Sequence, residues 1–275
     1  MTKQLAIGRI SYINVDPIYY GFENGSLKDK YKIVSKHPAG LNKMLAEKKL
    51  EISAVSAAAY AQNQDRWLIL PNLSVSCAAD VMSVIFVFKV SVKNLEKAKV
   101  IISAESKTAS DLIKLFFCSR GISPNFIIKK INSYKDINAD EQAALIIGDA
   151  ALAGGWDKHF KYTWDLGVLW NNITKLPFVF ALWAVNKEFA KTEKETVLKL
   201  IKDFEASKKE GKKNIETIIN NGAEKLNIPY LICKKYFEKL DFDLDDKKTA
   251  GLSMFFDKLY EYKIIDKKVN LNFFV

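Results

Sequence analysis

The stretch Ile7-Gly8-Arg9-Ile10-Ser11-Tyr12-Ile13-Asn14-Val15-Asp16-Pro17-Ile18 decides how this chain is read. The run from Gln4 to Ile10 has the make-up of a short apolar strand, and it breaks into a polar turn that leads into a helix. Pro17 suits the first turn of that helix, where a missing N–H has no hydrogen bond to lose. Asn14 or Asp16 can cap it by accepting a hydrogen bond from an orphan amide. Ser11 and Asn14 then sit at the carboxyl end of a strand, beside a helix N-terminus. In α/β sheets ligands bind at that edge, and the N-terminus favours anions. An ordinary first βα turn carries the same pattern, so the stretch marks a place for a site without naming its ligand.

Outward from this turn, the 275 residues allow one large domain or two small ones. A composition of 49% apolar and 27% charged residues is that of an ordinary soluble protein. No stretch reaches the roughly 20 apolar residues that span a bilayer, and the opening Met-Thr-Lys-Gln-Leu-Ala-Ile-Gly-Arg lacks an apolar core of signal-peptide length. The expectation is a cytoplasmic protein that neither crosses nor binds a membrane. A net charge of +10 invites a nucleic-acid reading, yet of 42 basic residues only Arg9, Arg66 and Arg120 are arginine. Nucleic-acid readers favour Arg for bidentate contacts, and these lysines are mixed with acids, so the charge reads as solvated surface. Cys77, Cys118 and Cys233 lie far apart without metal-ligand spacing, as small thiols in a reducing compartment do. His37 and His159 are the only histidines, and neither has the context of a nucleophile elbow or a zinc helix.

Along the chain, strands are expected at 31–35, 51–55 and 81–87, the last containing Ser83, with an apolar run at 67–71. A turn is expected at 37–40 and a helix at 41–47. The pattern restarts near Lys89. A buried-type strand at 99–103 leads through Glu105-Ser106-Lys107-Thr108-Ala109-Ser110 into a helix at 111–118. Small hydroxyl residues at such a strand-to-helix turn supply caps and exposed amides for an anion. Strands follow at 127–131 and 143–147, the latter closing on Gly148-Asp149, and a last one at 178–185. One long helical segment runs from Lys187 to Lys213, and the C-terminal helices read as packing and surface elements. This βα rhythm predicts a mostly parallel sheet covered by helices. With no Gly-Ser or Pro-rich linker, two α/β units joined by strands suit a hinged fold with its ligand in the cleft.

These residues together resemble the chorismate dehydratase family, the menaquinone-biosynthesis enzymes of the futalosine route. Gly8 to Pro17 follows the family pattern G-R-I/V-S-Y-I/L-N-x-x-P. Ile52 to Tyr60 resembles a second family segment, with Ser53 in place of the usual small residue. Leu70 to Val75, Val81-Met82-Ser83-Val84, Ser106 to Ala109, Leu145 to Leu152, Asp165-Leu166-Gly167 and Leu176 to Trp183 continue the match. It covers roughly residues 5–185. Ala79-Asp80 stand where the family usually has Gly-Pro, which would bring a negative charge towards an anionic substrate, and Ala109 replaces a common Ser.

The resemblance implies the two-lobe α/β fold of type-2 periplasmic binding proteins, with a ligand cleft between lobes. One lobe would be residues 1–88 with 186–275, the other 89–185. It implies a lyase that eliminates water from chorismate to give 3-[(1-carboxyvinyl)oxy]benzoate. Asn14 and Ser83 would be catalytic, as donors to the substrate's hydroxyl or carboxylate and to the leaving oxygen. Arg9, Ser11, Ser56, Ser106, Thr108 and Asp149 would contact substrate. No metal or organic cofactor is expected, because elimination with aromatisation needs neither redox chemistry nor an electron sink. The expected partner is the small-molecule substrate alone; oligomeric state is left open. No motif supplies a general base, whereas the substrate's own enolpyruvyl carboxylate lies beside the proton to be lost. Alternatives are a 1,4-dihydroxy-6-naphthoate synthase-like enzyme, whose family uses a histidine base, and a non-catalytic cytoplasmic binding protein for an aromatic carboxylate.

Overall fold

The computed structural model describes residues 4–275. The chain begins β1 (Ala6–Ile10), α1 (Asp16–Glu23), β2 (Lys32–Lys36), α2 (Pro38–Ala46), β3 (Ile52–Ser56), α3 (Ala57–Asn63) and β4 (Trp67–Cys77). It then crosses to β5 (Val84–Phe88), β6 (Lys99–Ser103), α4 (Lys107–Cys118), β7 (Asn125–Lys129), β8 (Glu141–Ile147), α5 (Asp149–Ala153), β9 (Tyr162–Asp165) and α6 (Leu166–Thr174). It returns through β10 (Phe178–Asn186) and ends in α7 (Lys187–Thr192), α8 (Lys194–Lys213), α9 (Ile215–Leu226), α10 (Tyr230–Lys239), β11 (Leu240–Asp241) and α11 (Asp246–Glu261).

The strands form a six-stranded sheet, β11-β4-β10-β3-β1-β2, and a five-stranded sheet, β7-β6-β8-β5-β9. Both are mixed rather than mostly parallel. β1 runs parallel to β2 and β3, but β10 is antiparallel to β3 and β4. In the second sheet β6 is parallel to β7 and β8, while β5 is antiparallel to β8 and β9. The reason is connectivity. A parallel neighbour needs a crossover within its own sheet, whereas β5 and β10 each arrive from the other sheet. Those two strands also move the expected boundaries. β5 belongs to the second sheet and β10 to the first, so the chain changes sheet at 78–83 and 175–177 rather than at 88/89 and 185/186.

Three local expectations change as well. The N-cap of α1 is Val15, with no side-chain cap, so neither Asn14 nor Asp16 caps it. α2 starts at Pro38, since proline is as well placed there as in a turn. The long segment after Lys187 is two helices, broken at Glu193.

The core fixes the opening turn from behind. Tyr19 on α1 and Trp183 on β10 are fully buried. The Trp183 indole N–H donates to the Tyr19 hydroxyl at 2.9 Å, and that hydroxyl donates to the Gly8 carbonyl at 2.7 Å. α8 lies directly against α1: a Cβ at Gly211 would come within 2.0 Å of the Pro17 carbonyl oxygen. Ser207 completes the contact, donating to the Ile18 carbonyl at 2.7 Å and accepting from the Gly21 amide at 2.8 Å. The C-terminal helices therefore hold the turn that carries Asn14.

Candidate active site

A small cleft, with about 50 Å3 of room, opens between the two sheets. Its polar lining is Tyr12, Asn14, Ser56, Ser83 and Ser106, and its walls are apolar, from Ile10 and Val75 to Ile147 and Phe180. Four of the residues singled out in the sequence thus meet in one place. Among the described residues none of the lining side chains is Lys, Arg or His, so a carboxylate here would meet hydroxyls, amides and the N-terminal end of α4.

Each polar group is held differently. Asn14 lies in a short 3-10 turn, Ile13–Val15, between β1 and α1. Its Oδ1 is buried without a hydrogen-bond partner, an arrangement that disfavours the fold by about 1–3 kcal/mol unless a ligand supplies a donor. Ser56 caps α3, its hydroxyl accepting from Ala59 N–H at 3.3 Å and from Asn42 Nδ2 at 3.2 Å. Ser106 caps α4, accepting from Ala109 N–H at 3.3 Å. Ser56 thus has both accepting lone pairs filled and Ser106 one, and neither spends its own proton on these contacts, which leaves each hydroxyl proton free to donate into the cleft.

Ser83 lies one residue before β5, not inside it. Met82 takes the left-handed conformation, φ 61°, which ends the β-prone run and turns the chain. Asp165, 82 positions further on from Ser83, secures this turn: one carboxylate oxygen accepts from Val81 N–H at 3.0 Å and Met82 N–H at 2.6 Å, the other from Gly167 and Val168 N–H at the start of α6. The Ser83 carbonyl accepts from Gly148 N–H at 2.7 Å. Its hydroxyl accepts from the fully buried Tyr236 hydroxyl at 3.1 Å.

The other expected contacts are committed elsewhere and do not line the cleft. Arg9 pairs with Asp16, and with Glu23 at 3.0 Å, beneath the opening turn. Ser11 is 3.4 Å from His37 Nδ1 at the surface. Thr108 is buried and accepts from Ala58 N–H at 2.9 Å, which ties α3 to α4. Asp149 accepts from Ile13 N–H at 3.2 Å and lies 3.9 Å from Lys225 Nζ; burial raises its carboxyl above the usual range against the pull of these donors. Asp80 does not line the cleft, and its carboxylate pairs with Lys239 at 3.2 Å. Neither histidine lines the cleft; His159 stacks on Tyr134.

Tyr12 had the motif's signal but no assigned role. Its hydroxyl donates to Glu105 at 2.9 Å, and burial, with Glu105 beside it, raises its pKa well above that of an ordinary phenol. Tyr12 is therefore a protonated donor already spent on Glu105, which rules it out as a base. Gly148 packs against its ring. At φ 64°, ψ −144° the backbone there suits glycine alone, and a Cβ would stand 2.8 Å from the ring. Gly148→Ala is expected to lower stability by about 1–3 kcal/mol through strain and overpacking. A thermal melt checks this, and an unchanged midpoint would show that the loop yields.

Asp16 beneath the site gives a pH dependence. Burial raises its carboxyl to about 6 despite Arg9 and Lys225. An unfolded Asp titrates near ~3.9, so the folded chain binds this proton more tightly. The group's contribution to stability therefore falls as pH rises from about 4 to about 6, and is level above that. Melting midpoints of wild type and Asp16→Asn should diverge across that window, wild type losing ground as pH rises; parallel curves would refute the shift.

The family model described as menaquinone biosynthesis matches residues 5–261. The chain belongs to the menaquinone biosynthesis family. Two similar proteins are both named chorismate dehydratase. That of Thermus thermophilus is 25% identical over 272 residues, covering 94% of this chain and 96% of its own. That of Campylobacter jejuni is 25% identical over 269 residues, covering 96% and 92%. Among solved structures, a protein from Archaeoglobus fulgidus has a TM-score of 0.74 at 18% identity, covering 95% of this chain and 98% of that one. The periplasmic aliphatic sulphonate binding protein of Escherichia coli has 0.64 at 14%, covering 97% and 90%. These likenesses show the fold of this family member to be that of periplasmic binding proteins. Among the described residues no helix is long and apolar enough to cross a membrane.

Proposed function

We propose that this chain is a chorismate dehydratase, a hydro-lyase that forms 3-[(1-carboxyvinyl)oxy]benzoate in the futalosine route of menaquinone biosynthesis, in the cytoplasm. Family membership and two relatives of that name spanning almost the whole chain support the reading. The observation that carries it is the meeting of Asn14 and Ser83, one of them with a buried unpaired acceptor, in a cleft with apolar walls. The ring packs on those walls, and the two carboxylates take hydroxyl donors from Ser56 and Ser106 and amides at the start of α4.

In the reaction a ring C–H proton leaves, the allylic C–O bond breaks, and hydroxide departs as water while the ring becomes aromatic. Ser83 donates to the departing oxygen and Asn14 orients the substrate through its amide. The enolpyruvyl carboxylate, ionised at pH 7 with a normal pKa of ~4, takes the ring proton and gives it up to the departing hydroxide, which leaves as water; the protein supplies geometry and donors. The lobes close over a substrate that touches both, as the Tyr12–Glu105 and Ile13–Asp149 hydrogen bonds between them would favour.

Mass spectrometry of the purified protein with chorismate tests the proposal. A product lighter by one water is expected, and an analogue without the enolpyruvyl carboxylate should bind yet not eliminate. Binding of chorismate without turnover would make the chain a binding protein, and ordinary turnover of the analogue would return the base to the protein.

A further inference from the structure

We infer that Tyr236 is a positioning residue for Ser83: its phenol donates to the Ser83 hydroxyl oxygen and thereby directs the serine's own proton into the cleft. The inference rests on the proposed role of Ser83 as donor to the leaving oxygen, and extends it to a helix outside the opening motifs.

The geometry is as follows. α10 buries Cys233, Tyr236 and Phe237, and it lies close to α9, where a Cβ at Gly222 would stand 3.0 Å from the Cys233 sulfur. Tyr236 is thereby held with its hydroxyl 3.1 Å from Ser83 Oγ. The backbone of Ser83 is already settled by Asp165 through Val81 and Met82, and by Gly148 N–H. What remains free is the rotation of the serine hydroxyl. A phenol is the stronger acid of the two, so Tyr236 donates and Ser83 accepts. Burial raises the phenol's pKa well above the usual range, against the hydrogen bond with Ser83, which lowers it, and with smaller upward pushes from Asp149, Asp16 and Cys233, so the phenol keeps its proton at working pH. With an acceptor site on Oγ filled, the serine proton is left for the cleft, and a hydroxyl that accepts one hydrogen bond donates a stronger second one.

Tyr236→Phe removes one oxygen and keeps the packing. Its kcat on chorismate should fall about fivefold with KM within twofold and the melting midpoint within about 3 °C; a lost hydrogen bond of ordinary strength, ~1 kcal/mol, sets that scale. The Ser83→Ala, Tyr236→Phe double variant should be no slower than Ser83→Ala. An unchanged kcat in Tyr236→Phe, or losses that multiply in the double variant, would overturn the inference. A second readout needs no substrate. In Ser83→Cys, the thiol pKa, measured by alkylation over the wild-type background of exposed Cys118 and buried Cys77 and Cys233, should rise by about one unit when Tyr236→Phe is added. Asp16 and Asp149 act equally in both variants and cancel. Equal thiol pKa values would overturn the positioning role. A wild-type chain that leaves chorismate untouched would instead sink the functional reading, and the thiol titration would still decide the inference.

Discussion

Ser83→Ala and Asn14→Ala are each expected to lower chorismate turnover about 100- to 1,000-fold, the loss typical of removing one preorganised donor at developing charge. That range corresponds to about 2.7–4 kcal/mol of transition-state stabilisation. The fold should survive both changes. Asn14 caps no helix, and its Oδ1 is buried without a partner, so truncation removes an unsatisfied acceptor. Ser83→Ala leaves the Tyr236 hydroxyl without its acceptor, which lowers stability by about 1–3 kcal/mol. Turnover and thermal melts on the same samples check this. Wild-type rates in both variants would remove these residues from the chemistry, and unfolding of both would make them structural.

The second large effect lies at Asp165, which does not itself line the cleft. Its carboxylate accepts four amide N–H groups, two in the turn that presents Ser83 and two at the start of α6. Losing the helix cap lowers stability by about 1 kcal/mol, and each turn amide left without an acceptor by about 1 kcal/mol at the low end of the range. Asp165→Ala should therefore lower stability by about 3 kcal/mol, a fall in melting midpoint of roughly 6–12 °C for a chain of this size. Its turnover should fall too, because Ser83 would no longer be fixed. A midpoint within 2 °C of wild type would show that the turn is held by other means.

The opening turn was legible because its signals are local. A strand breaks at Ser11, Pro17 starts a helix, and both happen where read. Ser56 and Ser106 were legible for the same reason, as hydroxyl residues at strand-to-helix turns. Ser83 was recognisable as a residue but not in its setting. Val81 and Met82 look like strand, and the positive φ at Met82 is sustained by a carboxylate more than 80 positions away. The direction of β10 was equally hidden, since its neighbours β3 and β4 lie about 100 residues or more upstream. Tyr236 had no signal, because on an amphipathic helix a buried tyrosine reads as core. Arg9 and Asp149 have the charges of ligand contacts, yet their partners, Asp16, Glu23 and the Ile13 amide, appear only when the chain is folded.

A proton NMR time course of chorismate with the wild-type chain tests the central claim most directly. The account predicts that the two vinyl signals of the enolpyruvyl group persist while the ring signals become those of a meta-substituted benzoate. A spectrum that stays that of chorismate, or vinyl signals that vanish as pyruvate appears, would contradict it.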